Sequence, residues 1–165
     1  MPLDRHLVVH LQEMFSTEKD YRDYMMAKSS QVQDNQLKSV VSDEIKGIGT
    51  ELNNLEQCLA FFNEFPKQDL HSPLVSAIQQ EDAFTMQAMP SATKADMDMH
   101  LVINDITMGN WEIGIYQTLL DMAKALNQRD VINLLQENLS HEKEDLQKMQ
   151  AILPNFIKQS QQKAA

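Results

Sequence analysis

What most constrains this chain is a glutamate recurring on the apolar stripe of each of its long helical runs. Read in alternating steps of four and three, one run gives Leu101, Asp105, Met108, Glu112, Ile115, Leu119, Met122 and Leu126. Six of those eight are apolar, the stripe a bundle helix turns towards its core. Glu112 lies inside it, between Met108 and Ile115. A charged carboxylate in that position has to be paired, protonated or bound to a cation, because burying it alone costs several kcal/mol or more.

Three further runs repeat the pattern. The first reads Leu7, Leu11, Met14, Glu18, Tyr21, Met25. The second reads Leu37, Val41, Glu44, Ile48 and continues as Leu52, Leu55, Leu59, Phe62, where the true helical period drifts past the heptad. The last reads Ile132, Leu135, Leu139, Glu142, Leu146, Met149, Leu153. Halfway between 18 and 44 lies position 31, in the polar break Ser29-Ser30-Gln31; halfway between 112 and 142 lies 127, in Asn127-Gln128-Arg129-Asp130. If each pair of runs folds back as an antiparallel hairpin, its two glutamates meet at one level, since both arms rise ~1.5 Å per residue. Two carboxylates per hairpin, on two hairpins, form the skeleton of a carboxylate di-metal site in a four-helix bundle. Glu18, Glu44, Glu112 and Glu142 are therefore the candidate metal ligands. The bland alternative places each at a stripe edge, reaching solvent.

Composition agrees with helices. Only four Gly and five Pro occur in 165 residues, and 42% of the chain is hydrophobic, enough for one domain with a sizeable core. A formal charge of −10 makes nucleic acid and anionic membranes unfavourable partners. The lone cysteine, Cys58, fits a reducing cytoplasm, and its apolar neighbours Leu55, Leu59 and Phe62 predict a buried, inert thiol. The polar N-terminus resembles no signal peptide, and no apolar stretch approaches the ~18 residues of a membrane span.

Boundary signals give the expected order. The first helix runs from about Asp4, as N-cap, to about Lys28. The second opens near Asp34 or Asn35 and ends by Phe65, because Pro66 follows. Residues 67–93 form a crossover with its own short helix, opened by Ser72-Pro73 and closed at Pro90-Ser91. The third long helix spans about Lys94 to Leu126 and the fourth about Asp130 to Leu153, stopped by Pro154. The bundle domain is thus 4–153, followed by a polar C-terminal tail at 154–165, with residues 159–165 expected to fray.

A full di-metal site takes a Glu from each of two helices and a Glu-x-x-His pair from each of the others. Here the second members are missing: Gly47 stands three residues after Glu44, and Gly109 three before Glu112. His141, beside Glu142, points about 100° away around the helix. His6, His10, His71 and His100 lack ligand spacing. Gly47, Gly49, Gly109 and Gly114 sit inside helices at roughly 1 kcal/mol each. Either helix backbones pack closely there, or side chains have been lost. Trp111 and Tyr116 are expected in the core or a dimer face.

The segments Leu11–Lys19, Leu55-Glu56-Gln57, Glu112–Leu119 and Leu139-Ser140-His141-Glu142-Lys143 together resemble the YciE/YciF-like group of ferritin-like bacterial proteins, in matching order and spacing. The resemblance implies an all-α, ferritin-like four-helix bundle with a short extra helix between helices 2 and 3, often dimeric, associated with stress responses and in some members holding a di-metal centre. It also implies acidic positions at Glu18, Glu112 and Glu142. Position 44, usually His in that group, is Glu44; positions 47 and 109, usually acidic, are Gly47 and Gly109. The expectation is a rebuilt site that holds no metal or binds iron or manganese weakly. The alternative is an intact di-iron or di-manganese protein linked to oxidative stress, and a second alternative is a metal-free structural or interaction protein. A homodimer is expected from the resemblance and from the apolar surplus of Tyr21, Tyr24, Met25, Met26, Phe61, Phe62 and Phe65. No substrate or reaction is identified.

Overall fold

The computed structural model describes residues 1–163, which form five α-helices and no strand. They are α1 (Leu3–Ser29), α2 (Asn35–Ala60), α3 (Pro73–Ala88), α4 (Lys94–Ala125) and α5 (Arg129–Lys163). Local chemistry sets most starts. Asp34 accepts the Leu37 N–H, Ser72 accepts that of Val75 ahead of Pro73, and Thr93 and Asp96 form a reciprocal capping box. At α1 the N-cap is Pro2, not Asp4. Asp4 lies in the first turn, where its negative charge favours the helix N-terminus. α2 stops at Ala60, ahead of Pro66, as Asn63 turns the chain with φ 54°.

The expected stop at Leu153 is incorrect: α5 runs through Pro154 to Lys163. A proline inside a helix costs about 3 kcal/mol. Against this, Ile152 and Phe156 are buried on either side of it, in one apolar cluster with Met149. Ile152 is helical with or without the continuation, so the gain beyond the proline is Phe156, roughly 1.5–3 kcal/mol, enough to offset most of the local penalty. Ser160 Oγ also donates to Met99 Sδ at 3.6 Å, tying α5 to α4. Of the residues expected to fray, 159–163 are helical; Ala164 and Ala165 lie outside the described residues.

α1 and α2 form one hairpin and α4 and α5 the other; α2 packs on α5, α1 on α4, and α3 lies across α1. The core is split. One apolar compartment holds Tyr21, Met25, Leu37, Val41, Leu101 and Met149; the other holds Leu7, Leu11, Leu55, Leu59, Leu119 and Leu135. Cys58 is buried in the second, and burial pushes its thiol up to about 12, as an inert cysteine requires. Between the compartments, along α1, come the buried polar residues Ser16, Thr17 and Glu18. Along α4 the corresponding place is taken by Glu112, between Met108 and Tyr116.

The glycines do not need close helix packing. A methyl group at Gly47 would stand 3.5 Å from Asp145 Oδ2 and one at Gly109 3.6 Å from Leu146, ordinary contacts, and at Gly49 and Gly114 it would meet nothing within 4 Å. The apolar surplus divides. Tyr21, Tyr24 and Met25 are buried in the bundle, whereas Met26, Phe61 and Phe65 are exposed.

Candidate metal centre

Glu18, Glu44, Glu112 and Glu142 are all buried, each no more than 6% exposed; Glu18, Glu112 and Glu142 lie between the apolar compartments, whereas Glu44 lies between Val41 and Ile48 of the first. One carboxylate oxygen from each of Glu18, Glu112 and Glu142 lies within 4.8 Å of the other two. Three helices, α1, α4 and α5, thus bring three acids to one point. Glu44 stands apart from that trio, facing Asp105 of α4.

Two further acids are buried nearby, Glu51 between the compartments and Asp105 beside Glu44 in the first. Glu51 is 1% exposed and faces Glu18 and Glu142; Asp105 is 3% exposed. Both escape the sequence reasoning, although Asp105 lies on the α4 stripe. The signal that could have found them is spacing: Glu51 follows Glu44 by seven residues, as Glu112 follows Asp105. Seven residues are nearly two turns and return a side chain to one face. Each also lies one helical turn from a glycine, Glu51 from Gly47 and Asp105 from Gly109. Gly47 and Gly109 supply no oxygen, and Glu51 and Asp105 bring two carboxylates from one turn away.

Electrostatically the six acids form a coupled set. Burial and then charge repulsion raise Glu44, Glu51, Glu112 and Glu142 well above the ordinary carboxylate range. The like-charged neighbours are chiefly Asp105 for Glu44, Glu18 for Glu51 and Glu142, and Glu142 for Glu112. Burial raises Glu18 to about 7 although a hydrogen bond from Tyr116 opposes it, and Asp105 is likewise raised to about 7. Glu44 and Asp105, and Glu51 and Glu142, are within hydrogen-bonding reach of each other. Such a bond exists only while one member of the pair keeps its proton. With all six ionised, Glu18 Oε2, Glu44 Oε2, Glu51 Oε2, Asp105 Oδ2 and Glu112 Oε1 are buried without a donor. Among the described residues no lysine or arginine forms an ion pair with any of them; the nearest basic group is His141, its Nδ1 3.8 Å from Glu51 Oε1.

A polar network orients one side of the layer. Tyr116 donates to Glu18 Oε1 at 2.7 Å, Asn138 Nδ2 donates to Tyr116 Oη at 3.1 Å, and Asn54 Nδ2 donates to Asn138 Oδ1 at 2.8 Å. Tyr116 is thus in the core, as expected, and Glu18 is its acceptor. Tyr21 sits on the other side, its buried hydroxyl unpartnered and under the field of Asp105, Glu44 and Glu112. Trp111 is partly exposed. It joins Thr17, Leu70 and Leu74 around an apolar pocket between α1, α4 and the crossover.

An all-oxygen donor set with unsatisfied buried oxygens fits a hard cation. Glu18, Glu112 and Glu142 would hold it, with Glu51 in reach of the group.

The family model described as "Domain of unknown function (DUF892)" matches residues 2–162. Among solved structures, the stress protein YciF of E. coli superposes with a TM-score of 0.84 at 16% identity, over 95% of this chain and 98% of that one. YcfI from Rhodopseudomonas palustris gives a TM-score of 0.82 at 21% identity, over 91% and 94%. A protein from Xanthomonas campestris pv. campestris gives 0.67 at 17% identity, over 96% and 98%. At these identities the likeness carries the fold. No curated protein matches the chain.

Proposed function

The chain belongs to the DUF892 family, and from that premise we propose that it is a ferritin-like carboxylate protein whose core takes up a hard divalent cation in competition with protons. Manganese(II) and iron(II) are the ions its oxygen donors suit. The observation that carries this reading is the set of buried carboxylate oxygens without donors, which no lysine or arginine among the described residues neutralises. When bound, such an ion supplies charge neutralisation and open coordination positions for water or small oxygen species. The chain's own residues do the rest: Glu18, Glu112 and Glu142 bind, Tyr116 and Asn138 hold Glu18 in place, and the two apolar compartments restrict water.

Binding is weaker than in a site of four carboxylates and two histidines. Each ion must displace protons from acids whose burial favours the neutral form, so the protein purifies with little or no metal. The test is metal content of the untagged protein, followed by melting with manganese(II) added. A rise in melting temperature that disappears in Glu112→Gln supports the reading; no shift with any divalent ion contradicts it.

A second reading has its own support. The pairs Glu44–Asp105 and Glu51–Glu142 can each share a proton, which would let a metal-free bundle serve as a structural or interaction protein. Assembly as a homodimer through the exposed Phe61 and Phe65 accompanies either reading. A monomeric mass by light scattering at micromolar concentration would remove it. YciF is described as a stress protein, and a role under stress is the setting proposed here.

A further inference from the structure

The central trio does not use every ligand atom that faces the layer. Glu51 is buried from α2, and its Oε2 has no donor. Across the α2–α5 seam, His141 turns a buried Nδ1 towards it, also without a hydrogen-bond partner. The separation of 3.8 Å from Nδ1 to Glu51 Oε1 exceeds a hydrogen bond. It lies within the span of roughly 4.2 Å that one metal–nitrogen and one metal–oxygen bond can bridge. The helical offset from Glu142 keeps His141 away from the bundle axis, as the sequence implies, yet aims it at the seam where Glu51 arrives from the other side. The imidazole also forms part of an open surface depression with Glu137 and Glu144. The ring is about one-third exposed while its Nδ1 is buried, so the seam lies one side chain below that depression.

We propose that the α2–α5 seam is a second cation position, with His141 Nδ1 and the Glu51 carboxylate as its protein ligands and water completing the shell. A nitrogen donor changes its selectivity. Imidazole suits first-row transition ions such as cobalt(II), iron(II) and zinc, whereas magnesium and calcium prefer oxygen alone. The seam therefore takes transition ions, and the central oxygen trio takes hard ones. This deepens the proposed function and rests on it for the central site alone; the seam has its own ligands.

The test uses the full chain and cobalt(II). Crystals soaked in cobalt should give an anomalous peak within bonding distance of His141 Nδ1 and Glu51. Calorimetric titration should resolve that site in the wild type and lose it, or weaken it by at least about tenfold, in His141→Gln. His10→Gln, on the surface of α1, is the control for adventitious imidazole binding and should change neither. A peak confined to Glu18, Glu112 and Glu142, with His141→Gln unaltered, overturns the seam and leaves the central reading standing. A seam peak without any central ion, even with manganese(II), overturns the central reading and leaves the seam. Should His141→Gln fail to fold, the wild-type map decides alone: absence of cobalt at His141 overturns the proposal.

Discussion

Two regions of this molecule bury acids, and they treat them in opposite ways. Where α3 meets α1 and α4, buried Asp82 receives Lys28 at 2.6 Å and Tyr24 Oη at 2.9 Å on one oxygen. Its other oxygen receives Asn104 at 2.9 Å and His100 at 3.0 Å. Both oxygens are satisfied, and a lysine supplies the counter-charge. A few turns away, six carboxylates are buried in the bundle, and no lysine or arginine among the described residues pairs with them. The first region is a structural pin that holds the crossover helix. The second is neutral only if protons or an added cation make it so. One chain thus contains both a completed ion-pair node and an open one, and the proposed cation binding rests on the open one.

The largest expected effect separates the two by pH. In the metal-free protein, Glu18 is raised from 4.5 to about 7. A raised carboxylate stabilises the fold fully below its unfolded value and loses that contribution as pH climbs through the folded one. Between about pH 4.5 and pH 7, Glu18 alone should cost the metal-free fold on the order of 3 kcal/mol, and Asp105 acts in the same direction. Urea midpoints with chelator present, at mildly acidic and mildly alkaline pH, measure it. A metal-free protein more stable on the alkaline side would break the comparison.

Next comes the pin. Asp82→Ala strands a partly buried lysine and three hydrogen-bond partners and should lower stability by about 2 kcal/mol, read from the same denaturation curves. If the loss is negligible, the node is not what fixes α3.

Tyr116→Phe should cost about 1 kcal/mol. It removes the donor to Glu18 Oε1 and leaves Asn138 Nδ2 without one of its acceptors. The loss should be larger above pH 7 than at pH 5, because that hydrogen bond favours ionised Glu18. A loss that does not vary with pH would argue for packing alone.

The smallest effect has the opposite sign. Glu142→Gln removes one buried acid from a crowded set and should stabilise the metal-free form by roughly half a kcal/mol at neutral pH. In thermal melts without metal, a destabilised variant would indicate that ionised Glu142 is already compensated.

Much of this was legible in the sequence, for physical reasons that can be named. Burial follows periodicity, so Glu18, Glu44, Glu112 and Glu142 could be placed in the core from their neighbours alone. Convergence does not follow from periodicity. Glu44 lies with Asp105 among residues of the first compartment, and it is Glu51, about two turns further along α2, that faces Glu18 and Glu142; halving the distance between two glutamates does not resolve that difference of level. Glu51 escaped because the apolar run in α2 drifts through Ile48, Leu52 and Leu55, which makes an acid beside it look peripheral. Pro154 misled for a different reason: its local cost is real, but a local rule does not weigh the burial of Phe156 beyond it. The Asp82 node was invisible, since its partners come from α1, α3 and α4 and only tertiary packing joins them.

The most direct test of the central claim is manganese(II) binding to the metal-free protein, measured calorimetrically in buffers of different ionisation enthalpy from about pH 6 to about pH 8. If the layer exchanges protons for a cation, affinity should tighten as pH rises, and each ion should release at least one proton. Binding that is independent of pH and releases none, or no binding anywhere in that range, would contradict it.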